Sequence, residues 1–221
     1  MRKLAISTFL TLDGVMQAPG GPEEDPSSGF EYGGWSVNYW DDAMGKVMDE
    51  AVSVPFDLLL GRKTYEIFVA HWPYAGDDLM AQVLNKATKY VASTTLKELT
   101  WRNSRLIKGN VAEEISRLKS QDGPEIQVHG SSGLIQTLLA HDLIDEFRLW
   151  TFPVVVGRGK RLFGEGAQPS GMALVDSKMS TTGVTMNTYR RAGPIQPGSF
   201  ALENPTEAEI ERRHKMAREA T

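Results

Sequence analysis

Three short stretches of this 221-residue chain hold residues whose types and order suit one chemistry, the binding of phosphate groups. Gly130-Ser131-Ser132-Gly133 lies between an alternating run, Glu125 to His129, and a stretch in which Leu134, Ile135, Leu138 and Leu139 recur at helical spacing. Glycine lets the backbone turn through positive φ and lets a ligand approach the main chain. Serine at a helix start accepts bonds from free amides, and the remaining amides carry the positive end of the helix dipole, which suits a phosphate. Gly61-Arg62-Lys63-Thr64-Tyr65-Glu66 follows the short apolar run Phe56 to Leu60. Arginine offers a phosphate a planar fork and lysine a point charge. Cations at a helix start oppose the dipole, so a negative group nearby would account for them. Ser93-Thr94-Thr95 follows Thr88 to Ala92, and three hydroxyls in a row either cap a helix or bond a phosphate. A fourth position, Asp13, ends the run Leu4 to Leu12 beside Gly14, where it either serves a tight turn or faces a cleft and acts on a substrate.

The elements that must position these groups are legible in outline. Leu4 to Leu12, Phe56 to Leu60, Thr88 to Ala92, Ser104 to Ile107 and Glu125 to Val128 read as strands. Helices are expected from about 41 to 52, from about 77 to 87, after Arg62, around Val111, Ile115 and Leu118, and after Gly133. Asp145 to Thr151, Met172 to Met179 and Thr182 to Arg190 close the chain as further strands, around a glycine-rich basic turn at Gly157 to Arg161. Repeated strand–helix units followed by strands imply an α/β fold with a mostly parallel sheet finished by antiparallel strands. In such sheets ligands bind beyond the carboxyl ends of the strands, where all three phosphate candidates fall. Together they suit a dinucleotide carrying an extra 2′-phosphate.

The stretch from Gln17 to Tyr39 is rich in Gly, Pro, Ser and acids and lacks periodicity. Its aromatics argue against disorder. Phe30, Tyr32, Trp35 and Trp40 are expected to form an ordered lid or subunit-contact loop that stacks on a flat ligand. Residues 193–221 read as a linker and a solvated helix beginning at Asn204-Pro205-Thr206-Glu207, outside a domain of 1–192.

Composition excludes several classes. With 41% hydrophobic residues, five Trp, eight Phe and six Tyr, the core is ample. A net charge of −4 without a basic block argues against nucleic-acid or membrane surfaces. There is no cysteine, hence no disulfide and no thiolate metal site, and the four histidines lack metal-ligand spacing. The N-terminus reads as a strand, not a signal peptide, so the protein is expected in the cytoplasm.

These motifs, in this order, resemble the dihydrofolate reductase superfamily. The stretch GSSGLIQTLLAHDLIDEFRLWTFPVVVGRGKRLF, with Thr11-Leu12-Asp13-Gly14, resembles the reductase domain of the bifunctional riboflavin-biosynthesis enzyme, RibD, and its stand-alone relatives. The resemblance spans about residues 2–191 and implies a dihydrofolate-reductase-like three-layer fold, NADPH as cofactor and a homodimer. It implies Arg62, Lys63 and Thr64 at the cofactor phosphates, Ser93 and Thr94 at the 2′-phosphate, and Gly130, Ser131, Ser132 and Gly133 at the diphosphate. His129 stands where the superfamily often has glycine, and the aromatic loop is unlike the riboflavin enzyme. The superfamily's helix carboxylate has no aligned counterpart, though Asp41 and Asp42 lie in the right region. The expected activity is NADPH-dependent reduction of a small flat substrate of pyrimidine, pterin or carbonyl type. The alternatives are the riboflavin-pathway pyrimidine reductase, a dihydrofolate reductase, and a protein that binds NADPH without turnover.

Overall fold

The structure, a computed structural model, describes residues 1–164 and 167–219. Its strands are β1 (Leu4–Thr11), β2 (Phe56–Gly61), β3 (Lys89–Ala92), β4 (Ser104–Ile107), β5 (Glu125–His129), β6 (Glu146–Phe152), β7 (Met172–Met179) and β8 (Thr185–Arg191). Its helices are α1 (Asp42–Val52), α2 (Arg62–His71), α3 (Leu79–Lys86), α4 (Val111–Ser120), α5 (Ser132–Ala140) and α6 (Glu207–Glu219). Among the described residues the strands form one eight-stranded sheet, ordered β4-β3-β2-β5-β1-β6-β8-β7. From β4 to β6 every neighbour is parallel; β8 and β7 add on antiparallel. The expected fold class is therefore the one observed.

Strand alternation sorts the core into two layers. Leu4, Ile6 and Leu10 of β1, with Leu59, Ile126 and Val128, face Ile115 and Leu118 of α4 and Leu134, Ile135 and Leu138 of α5. On the other face Phe56, Leu58, Leu60 and Val91 meet Tyr65 of α2 and Leu84 of α3, while Met44 of α1 packs on Trp150, Phe152 and Met186. Apolar residues on both faces of β2 are what a central parallel strand requires. β1 lies between β5 and β6, in register at Ile6 with Val128 and Phe147.

Three local expectations are corrected. No helix follows Ser93: its hydroxyl accepts from the amides of Thr95 (3.2 Å) and Leu96 (3.0 Å), which closes a turn, and the chain runs on to β4 without a helix. The last helix starts at Glu207, with Thr206 rather than Asn204 bonding the amide of Glu209 at 3.3 Å. Finally, Ser131, immediately before α5, does not cap it, for a reason that belongs to the site.

Candidate active site

Beyond the carboxyl ends of β1, β2, β3 and β5 lies a cavity of about 1590 Å³. Two helices begin on it without a side-chain cap. α2 starts after Gly61, and α5 starts after Ser131, which sits in the left-handed region at φ 59°, ψ 49°. The two starts are stitched to each other. Ser131 Oγ accepts from the Gly61 amide at 3.0 Å, and Thr64 Oγ1 accepts from the Ser131 amide at 3.0 Å. The serine is thus spent on a junction 70 residues away instead of on its own helix. Two helix N-termini are held side by side, and the positive dipole end of each favours an anion. Gly130, at φ +61°, keeps the turn; a β-carbon on Gly133 would meet only open space. The open space at Gly133, beside the start of α5, leaves room for a diphosphate.

The cations are less free than their sequence implies. Arg62 forms a bidentate pair with Glu66 at 2.9 Å to each oxygen, and Lys63 Nζ lies 3.9 Å from Asp25. The negative groups that account for them are, in this structure, the chain's own. Ser93 spends its hydroxyl on its turn, which leaves Thr94 exposed on the cavity wall. All nine phosphate candidates, from Arg62 to Gly133, line the one cavity.

Asp13 is placed elsewhere. It does not line the cavity. Its carboxylate accepts from Thr11 Oγ1 (2.6 Å) and from the amides of Val156 (3.2 Å) and Gly157 (2.9 Å), with Arg161 at 3.4 Å. Burial raises its pKa, but those hydrogen bonds outweigh it and hold the group below the ordinary carboxylate value. Its geometry is that of a turn-clamping residue. Asp41 is likewise used structurally, capping α1 through Met44 and accepting from Thr181.

The aromatic lid is also redistributed. Phe30 is buried with Val15 and Ala18, and Trp35 packs edge-on against Phe152 at 5.3 Å while its Nε1 donates to Gln17 O. Tyr32 is exposed away from the cavity. Of the four, Trp40 alone lines it, stacked on Trp150 at 5.9 Å. The loop's contribution to the wall is instead the segment from Gln17 to Asp25, which includes Glu24, together with Lys160 from the basic turn. Asp49 of α1 and Phe9 of β1 complete the side toward β6. No motif marks these positions in the sequence.

His129 forms part of the wall and stacks on Phe56 at 5.9 Å. Its Nε2 shares a hydrogen bond of 2.9 Å with Gln127 Oε1, and Gln127 Nε2 donates to Glu125. Glu125 is held bidentately by Arg148 at 2.7 and 2.8 Å. Burial, then the Arg148 charge, pushes the His129 pKa down to about 4, so the ring is neutral near pH 7.

The sheet, with a cavity at the carboxyl ends of its parallel strands, has a dihydrofolate-reductase-like fold. The family model of the RibD C-terminal domain matches residues 2–186, and the chain belongs to that family. Membership supports a reductase function. Among curated proteins the chain is 28% identical over 200 residues to the uncharacterized protein YyaP of Bacillus subtilis, covering 87% of this chain and 96% of that one. It is 26% identical over 136 residues to YwjB of the same organism, covering 60% and 72%. Among solved structures it is similar to a putative riboflavin biosynthesis protein of Shewanella, with a TM-score of 0.58, 23% identity and 86% and 99% of the two chains covered. It is also similar to the dihydrofolate reductase of Enterococcus faecalis complexed with NADP(H), at a TM-score of 0.53, 16% identity and coverage of 86% and 96%. Those two likenesses carry the fold.

Proposed function

We propose that this protein is an NADPH-dependent reductase of a small, flat, nitrogen-heterocyclic or carbonyl substrate. The observation that carries the reading is the pair of uncapped helix starts, α2 and α5, stitched together on one cavity at the strand carboxyl ends. The amides of Ser132 and Gly133, in the first turn of α5, would hold the diphosphate. Lys63 and Arg62 would bring positive charge to the cofactor phosphates, and Thr94 with Ser93 would meet the 2′-phosphate. Family membership supports the reductase chemistry, and the neighbour bound to NADP(H) supports the choice of dinucleotide. When bound, NADPH supplies the hydride. The protein's tasks are then to orient the nicotinamide against the substrate, to exclude water and to deliver a proton. Phe9 and Trp40, whose rings are tilted by 49° to each other, offer apolar surface on the β1 side for the substrate ring. A homodimer and a cytoplasmic location belong to the same proposal; no helix among the described residues is long and apolar enough to cross a membrane.

Fluorescence titration with each cofactor tests the reading. A charge-assisted contact to the 2′-phosphate contributes on the order of 1.5–3 kcal/mol, so NADPH should bind roughly tenfold or more tightly than NADH. Equal affinities would remove the 2′-phosphate assignment, and no binding of either would remove the reductase.

A further inference from the structure

Hydride transfer to a C=N or C=O bond needs a proton as well, and Asp13, expected from sequence to relay one, lies outside the cavity, while His129 on the wall is held neutral. Glu24 is differently placed. It lines the cavity, and its Oε2 accepts the Gly20 amide at 2.6 Å while its own amide bonds Gly21 O at 3.2 Å. The side chain is therefore folded back over its own loop. That loop is anchored on both sides. Gln17 Nε2 donates to the carbonyls of Asp25 (2.9 Å) and Ser27 (3.0 Å), and Lys160 Nζ bonds both Asp25 and Ser27 Oγ. Gly33 packs so closely beneath it that a β-carbon there would come within 2.4 Å of Gly21 O. Glu24 is consequently held at a fixed place on the wall.

The remaining titratable groups of the lining are committed or open to water. Asp25 is paired with Lys160 and faces Lys63, and Asp78 caps α3 through the Ala81 amide. His71 packs edge-on against Trp72 at 4.9 Å, and Arg62 is paired with Glu66. Glu23 and Asp49 are exposed. Burial raises the Glu24 pKa, and the Asp25 charge adds to this; the amides of Gly20 and Gly21 oppose it without cancelling it. A carboxyl with a raised pKa is suited to keep its proton until it is needed.

We propose that Glu24 is the proton donor of the reduction. The proposal rests on the reductase reading above. As hydride and its electron pair add to the substrate carbon, the π pair of the C=N or C=O bond moves onto nitrogen or oxygen. That atom forms its new bond to the proton of the Glu24 carboxyl as the O–H bond breaks. NADPH is oxidised, the substrate is reduced, and the Glu24 carboxylate regains a proton from water.

The experiment has two levels. Fluorescence titration of wild type with NADPH comes first, and failure to bind defeats the reductase reading itself. The role of Glu24 is then read from Glu24→Gln and Glu24→Asp against cyclic imines, pterins, pyrimidines and small carbonyls. Glutamine can still accept the Gly20 amide, so the melting temperature and the NADPH affinity should be kept. Turnover should fall about 10²–10⁴-fold in Glu24→Gln. Glu24→Asp should recover part of it, with the alkaline limb of its pH–rate profile displaced. Carbon-13 NMR of glutamate-labelled protein should show one carboxyl titrating above the ordinary glutamate range, absent from Glu24→Gln. Unchanged turnover in Glu24→Gln, an unmoved alkaline limb, or reduction of no panel member by NADPH-binding wild type would each overturn the proposal.

Discussion

His129 shows how a single residue couples the site to stability. Its ring is stacked on Phe56 and bonded through Gln127 to the Glu125–Arg148 pair. Protonation would place a second positive charge near Arg148 inside the wall. The folded-state pKa, about 4, lies below the ordinary 6.5, so between these values the unfolded chain binds the proton more readily. Stability from this group is therefore complete above pH 6.5 and is lost as pH falls towards 4, by roughly 3 kcal/mol at most. His129→Gln keeps a partner for Gln127 and takes up no proton. Its urea-unfolding free energy should fall less steeply than wild type across that window, and parallel curves would clear His129 of the effect. Residue type alone misled at other positions. Phe30, Trp35 and Asp13 have chemically suggestive side chains that serve core and turn, whereas Glu24 lies in a Gly-Pro-acid run whose sequence carries no motif.

At the scale of elements, the decisive feature is the seam between α2 and α5. Thr64 accepts from the Ser131 amide, and Ser131 accepts from the Gly61 amide, so each junction orders the other. Thr64→Val is nearly isosteric and removes one acceptor. The Ser131 amide would then lose its partner, at about 1–3 kcal/mol, and the α5 start would lose its alignment with α2. Thermal melts should show a lower midpoint, and NADPH titration a loss of affinity of roughly tenfold. Wild-type affinity in Thr64→Val would mean that the threonine is a bystander. The pattern of strands and helices was readable because alternation and helical spacing are local signals. The absence of a helix after Ser93 was not, because the same hydroxyl run can close a turn.

At the scale of the molecule, the sheet ends at Arg191 and α6 stands outside it with no buried residue. The chain still needs the start of the linker, since Gly193 O accepts from the Gly171 amide at 2.8 Å. A chain ending at Gly198 should therefore melt and bind NADPH as the full chain does, and a drop of several degrees would show that the tail packs. Beside β8 lies the exposed edge strand β7, where Leu174, Val175 and Met179 are 55%, 46% and 71% exposed. An open apolar edge of this kind invites pairing, in line with the proposed homodimer. Sedimentation of both chains should give twice the chain mass, and a monomer in each would refute it.

The sequence by itself determined the class of fold, because strand and helix periodicities are written residue by residue, and a parallel sheet places its loops at one end. It also pointed to nine residues that line one cavity, since each of them lies just beyond the carboxyl end of β2, β3 or β5. What only tertiary structure decided is which side chains are free to act once gathered. Ser131 is spent on Gly61, and Asp13 on the Val156–Gly157 turn. Glu24 is brought to the wall by Gln17 and Lys160, contacts between positions separated by as many as 143 residues. Such long-range bonds leave no local periodicity to read; they exist only after the sheet has brought their partners together.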